Sequence, residues 1–150
     1  MTVRDKDRGY AALMASIDKS GSYRITVGIH AEDSGQYANG VTLAEVAEKN
    51  EFGGPNQPAR PFLGPWADER RASAIEQIKA AFKEALKART SPAQRLDQIA
   101  QVLAGEVQQR ISTGIPPPNA QSTIDRKGSS TPLIDTGQLR GSIRGKVSAK

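Results

Sequence analysis

The stretch Gly114 to Val147, GIPPPNAQSTIDRKGSSTPLIDTGQLRGSIRGKV, constrains the fold more than any other. Three consecutive prolines, Pro116 to Pro118, hold the backbone extended and remove its donors. A polar Ser- and Gly-containing run follows that cannot bury a core, and Gly and Ser leave such a chain free to bend. It then tightens into Pro132-Leu133-Ile134-Asp135-Thr136-Gly137. A connection of roughly 20 residues without secondary structure is unusual in a compact domain and tends to be functional or disordered. The expectation is one domain over residues 1–150 with an extended loop at about 113–134. That loop either reaches a partner or is a plain surface loop, and Gly114–Ser130 is expected to be mobile in the free chain, ordering on assembly.

The net charge of +5 is unevenly placed. Residues 1–109 balance fourteen Lys/Arg with fourteen Asp/Glu, whereas residues 110–150 hold seven Lys/Arg and two Asp/Glu. The excess therefore lies on a basic C-terminal arm, which suits an acidic protein surface or nucleic acid. No aromatic follows Phe82, so that arm has no stacking platform for single strands.

Read in order, residues 5–18 carry Tyr10, Leu13, Met14 and Ile17 at helical spacing. Tyr23 to His30 alternates as a half-buried strand, with Tyr23, Ile25, Val27 and Ile29 on one face. Thr42-Leu43-Ala44-Glu45 has the form of a capping box and opens a short helix that ends at Gly53-Gly54. Pro55 to Pro65 holds four prolines and is expected to cross the body extended, with Phe62 and Leu63 finding apolar surface. Arg60 there is either solvated or bridged to a carboxylate such as Glu51.

Two long amphipathic helices follow, Trp66 to Arg89 and a second from a Ser91-Pro92 cap to about Ser112. Their short link predicts antiparallel packing, with Ile75, Ile78, Phe82, Leu96, Ile99 and Leu103 buried between the helices and a sheet. A helical turn carrying Leu139 and Ile143 precedes a last strand, Ser142 to Ser148, expected to pair with Tyr23–His30. The fold class is α+β: a small antiparallel sheet packed against two long antiparallel helices, with a long Pro/Ser/Gly-rich loop.

Chemistry is sparse. The chain has no cysteine and one histidine, His30, which reads as a polar residue at a strand end rather than a metal ligand. No phosphate-binding loop, nucleophile elbow or zinc-protease motif is present. Neither an enzyme nor a cofactor is expected. The charged N-terminus lacks the apolar core of a signal peptide and no apolar run spans a membrane, so a soluble protein of the cytoplasm is expected.

Three segments together carry a resemblance: Val46-Ala47-Glu48-Lys49-Asn50-Glu51-Phe52-Gly53, Pro58-Ala59-Arg60-Pro61-Phe62-Leu63, and Thr131 to Gly137 with Leu139, Ser142 and Ile143. In this order, across roughly residues 42–147, they resemble the tail-completion and head–tail joining proteins of tailed bacteriophages. The most similar type is the virion-morphogenesis protein of Mu-like phages. Gly141 and the triple proline depart from the usual pattern.

The resemblance implies a non-enzymatic virion protein that completes the tail or joins it to the head. Relatives often form rings, commonly sixfold, around the channel through which the genome passes. Implied partners are further copies of the chain (a hexamer is favoured), tail-tube and head-side connector or neck proteins, and genome DNA sliding through without sequence-specific binding. The implied location is the virion tail or neck, and the host cytoplasm during assembly. Residues singled out for partner or subunit contacts are Arg60, Phe62, Arg126, Lys127, Leu133, Ile134, Asp135, Thr136, Leu139, Arg144 and Lys146. Alternatives are a minor tail component that forms no ring and a small DNA-binding accessory protein.

Overall fold

The computed structural model describes residues 22–55, 57–88, 90–128, 130, 132–133 and 137–149. The helix expected over residues 5–18 lies outside them. The described chain begins with β1 (Tyr23–Gly28), in which Arg24 and Thr26 are exposed and Tyr23, Ile25 and Val27 turn toward the body. A 3-10 turn at Ala31–Asp33 leads to α1 (Leu43–Phe52). The capping box is formed: Glu45 N–H donates to Thr42 Oγ1 at 3.2 Å, and Thr42 N–H donates to Glu45 Oε2 at 2.8 Å.

Two long helices follow, α2 (Gly64–Ala88) and α3 (Ala93–Ser112). Ser91 Oγ accepts the Ala93 N–H at 3.2 Å, with Pro92 entering the first turn, where its missing donor costs nothing. The helices run antiparallel. Early α2 meets late α3 through Arg70–Glu106 and Glu69–Arg110, while Ala81, late in α2, packs with Leu96, early in α3. Arg70 binds both oxygens of Glu106, each at 2.6 Å, and Trp66 Nε1 donates to Oε2 at 3.2 Å. The Arg70 hydrogen bonds hold the Glu106 carboxyl below the usual range.

The remaining elements are α4 (Gln121–Lys127), α5 (Gln138–Ser142) and β2 (Arg144–Ala149). Strand β2 pairs antiparallel with β1, Ile25 opposite Val147 and Val27 opposite Gly145, so the two ends of the described chain form a two-stranded sheet. Helix α3 is the central post beneath it. Its buried stripe is Leu96, Ile99, Ala100, Leu103, Ala104, Val107 and Ile111, as the periodicity predicts. Burying each large member contributes about 1.5–3 kcal/mol relative to exposure. Two apolar clusters share this post, one around Ala81, Leu96, Ile99 and Leu103, the other around Phe62, Val107, Ile111, Ile115 and Ile143. Val27 and Trp66 pack against both and join them.

Two expectations are corrected. Ile75 is 44% exposed, and Ile78 and Phe82 are only half-buried: both pack against the Leu96, Ile99 and Leu103 cluster, but the small Ala81 is the α2 residue buried within it. The polar run after the prolines is not without secondary structure: Gln121–Lys127 is helical. Gln121 Nε2 donates to Asp125 Oδ1 one turn on, and Gly128 closes the helix in the left-handed region at φ +67°, donating to Ile124 O at 2.8 Å.

Candidate assembly interface

The C-terminal end of α1 governs the geometry around it. Glu51 turns inward, and its carboxylate accepts the backbone N–H groups of Phe62 (2.8 Å), Leu63 (3.0 Å) and Gly64 (2.7 Å). These donors at the start of α2 have no partner within the helix, so one anion satisfies them and complements the helix dipole. One residue back, the Asn50 carbonyl accepts the Arg60 N–H at 2.6 Å, and its side chain spans Val46 O and Gln57 Nε2. Gly53 sits at φ +80°, and a Cβ there would lie 2.9 Å from Ala59 N, so the tight return of the chain demands glycine.

Arg60 is buried and serves a different partner from either expected. It is neither solvated nor bridged to Glu51. Its Nε donates to Pro117 O at 2.7 Å and its Nη2 to Pro118 O at 3.1 Å. An extended proline run leaves its carbonyls without helix or sheet partners, and the planar guanidinium reaches two at once. The PARPFL segment thus fastens the start of the long connection to the body, and Ile115, just before the prolines, is buried with it.

Phe62 and Leu139, both expected at an interface, are each 2% exposed and are core residues. The apolar environment that draws in Ile143 and Ile115 claims Phe62 as well. Leu133 packs partly against the same cluster with φ +62°, a region a branched residue rarely adopts. Ile134, Asp135 and Thr136 lie outside the described residues, as do the side chains of Arg126 and Lys127.

A cleft of about 770 Å³ opens between α1, the Pro55–Pro65 crossing and α4, lined by Tyr37, Asn50, Gln57, Pro58, Asn119 and Thr123 among others. Its walls mix amides with apolar groups. At the outer end of α1, Phe52 projects with 77% of its surface exposed, beside a shallow pocket formed with Glu48, Lys49, Gly54 and Pro55. Sequence reasoning did not single out Phe52. The available clue was its place beside Glu51, about 100° further round the helix.

The described basic side chains of the C-terminal arm are engaged within the chain. Lys146 lies 2.6 Å from Glu32 and 2.7 Å from Asp33. Its hydrogen bonds to Asp33 and Glu32 raise its pKa, and the bond from Lys146 lowers that of Glu32. Arg144, although exposed, donates to the carbonyls of Gly141 and Ile143. Arg140 reaches Ser112 Oγ at 2.9 Å, and Arg110 pairs with Glu69 at 2.9 Å. Among the described residues, no group of three or more His, Asp and Glu side chains is gathered as a metal ion needs, and no helix is long and apolar enough to cross a membrane. His30 bonds Thr26 Oγ1 through Nε2 at 2.8 Å.

No protein-family model, curated protein or solved structure matches this chain.

Proposed function

We propose that this chain is a non-enzymatic virion protein that completes the tail of a bacteriophage or joins it to the head, working as a ring, with a hexamer favoured, around the DNA channel. The observation that supports it is a convergence. The three segments that carry the resemblance, spread over nearly a hundred residues, supply Glu51, Arg60, Phe62, Leu133, Leu139 and Ile143 to one junction. A ring subunit needs such a rigid junction, because force and register pass through it to the neighbouring rings. It also needs apolar anchors that its own core leaves unused, and Phe52 is one.

The engagement of Lys146, Arg144, Arg140 and Arg110 favours this reading over a DNA-binding accessory protein. Lys146 and Arg110 are already ion-paired and have less to gain from phosphate than free cations, and Arg144 and Arg140 are held by carbonyl and hydroxyl oxygens. A channel that lets the genome slide also requires weak contacts.

The test is a phage genome in which the coding sequence is interrupted. The expected lysate holds filled heads and separate tails, with joining restored when the chain is supplied from a plasmid. An undiminished yield of joined, infectious particles would overturn the reading.

A further inference from the structure

Strand β2 has one flank turned to β1 and the other reached by side chains of α3. On that second flank Gln101 Nε2 donates to Gly145 O at 3.1 Å and Gln108 Nε2 to Ile143 O at 3.0 Å. These carbonyls point away from β1, which places the hydrogen-bonded pairs of the ladder at Arg24–Ser148, Thr26–Lys146 and Gly28–Arg144. Val27 opposite Gly145 and Ile25 opposite Val147 are the alternate, non-bonded pairs. The N–H and C=O groups of Tyr23, Ile25 and Val27 therefore point out of the sheet on its other side. Among the described residues no backbone group pairs with them, and the sheet ends there.

One edge of the sheet is thus closed by glutamines and the other is open. The open edge lacks the devices that discourage pairing. Tyr23–Gly28 has no proline, its register with β2 runs without a bulge, and its inward residues Tyr23, Ile25 and Val27 carry no charge. A row of unpaired groups on such a strand is a template for one more strand.

We propose that β1 receives along this edge an extended segment of a different protein, in which apolar residues alternate with acidic ones. The alternation follows from the two faces of the added strand. Its inward side chains come down on the α2 side, because α2 meets the flank of α3 that carries Glu106 and Arg110, turned away from Gln101 and Gln108. There the Tyr23 ring meets Phe82 edge-on at a centroid distance of 6.1 Å, and Ile78, Phe82 and Leu86 line a groove of about 540 Å³. Ile78 and Phe82 pack inward against the Leu96, Ile99 and Leu103 cluster and, being half-buried, still form the wall of that groove.

Charge selects the other face. Arg24 is exposed on the outside of the sheet, and Lys83 and Lys87 rim the groove. Among the described residues none of these three cations has an ion-pair partner. An acidic residue opposite Arg24 gains a cross-strand ion pair, whereas a basic one is repelled. A second copy of this chain fits less well. It cannot offer the outer edge of β2, whose carbonyls are taken, and pairing β1 with β1 brings two lysine rims together.

The test uses the full-length protein with a short synthetic peptide that alternates Glu with Val and Ile, and a counterpart with Lys in place of Glu. Amide hydrogen exchange followed by NMR reads each backbone N–H separately. In the protein alone, Ile25 and Val27 are expected to exchange at least about tenfold faster than Arg24 and Thr26, whose N–H groups face β2. The acidic peptide should slow Ile25 and Val27 by about fivefold or more and the basic peptide should leave them unchanged. Arg24→Glu, an exposed substitution that keeps the ladder, should weaken the acidic peptide's binding by about three- to tenfold. Slow exchange of Ile25 and Val27 in the protein alone would mean that the edge is already covered, by this chain or, where protection grows with protein concentration, by a second copy. That result overturns the proposal, as do equal effects of the two peptides or an Arg24→Glu variant that binds the acidic one unchanged.

Discussion

Gly145 of β2 rests directly on the backbone of α3: a Cβ at this position would lie 2.0 Å from the carbonyl oxygen of Ala100. Ala100 is fully buried, so neither partner has room to retreat. The sheet therefore seats on the central helix through backbone contact, with Ile25 and Val147 packing to one side.

That contact sets a matched pair of substitutions. Gly145→Ala is expected to cost about 3 kcal/mol or more, since overpacking here displaces a strand and not merely a side chain. Gly105→Ala, on an open face of α3 with nothing within 4 Å, is expected to stabilise by about 0.5–1 kcal/mol through helix propensity. Denaturant unfolding of both variants reads the difference. Similar stability for the two would refute the close seating of the sheet.

Arg60→Ala removes both hydrogen bonds to the Pro117 and Pro118 carbonyls and empties a buried site. The expected loss is about 2–3 kcal/mol, in the range for hydrogen bonds made by a charged group. Trypsin should also cut after Arg126 or Lys127 several-fold faster than in the parent chain, because the connection has lost its fastening. Unchanged cleavage there would show that Arg60 does not hold the loop.

The Arg70–Glu106 pair predicts a pH dependence. The folded-state pKa of Glu106 is depressed, so its contribution is present above the unfolded carboxyl value and is lost as pH falls through the folded value. Glu106→Gln should lower stability at pH 7 by about 1–2 kcal/mol and have little effect near pH 2. Thermal melts across that range give the test, and an equal deficit at both pH values would argue against the pair as the cause.

Much of the frame was legible because its signals are local and periodic. The alternation of Tyr23, Ile25 and Val27, the Thr42–Glu45 box and the stripe from Leu96 to Ile111 each encode an element within a few turns of chain. The pairing of β1 with β2 followed from having two short alternating runs and no third. The misses have physical reasons too. Ile75 reads as core by hydropathy, yet helices approach most closely along small residues, and Ala81 took the buried place beside Leu96, Ile99 and Leu103. Gln121–Lys127 holds one large apolar residue, Ile124, too little for a periodic pattern, while its Gly128 cap was visible but unweighted. The partners of Arg60 are backbone carbonyls 57 and 58 residues away, which leave no trace in side-chain pattern. In the candidate interface, Phe62 and Leu139 satisfied the rule that apolar motif residues anchor partners, but the monomer's own core used them.

Phe52 separates folding from assembly. Because the side chain is 77% exposed, Phe52→Ser should change stability by less than about 0.5 kcal/mol. If Phe52 anchors a neighbouring protein, the folded variant should fail to restore head–tail joining, as loss of a central aromatic anchor costs about 2 kcal/mol or more in binding. Full complementation by Phe52→Ser would move the contact elsewhere on the chain.

The central claim concerns where the protein sits. Purified virions carrying a short epitope fused after Lys150 can be labelled with gold and imaged by electron microscopy. The account predicts label at the head-proximal end of the tail, with several copies per particle arranged as one ring. Label on the capsid shell or at the far tip of the tail, or particles devoid of the chain, would contradict it.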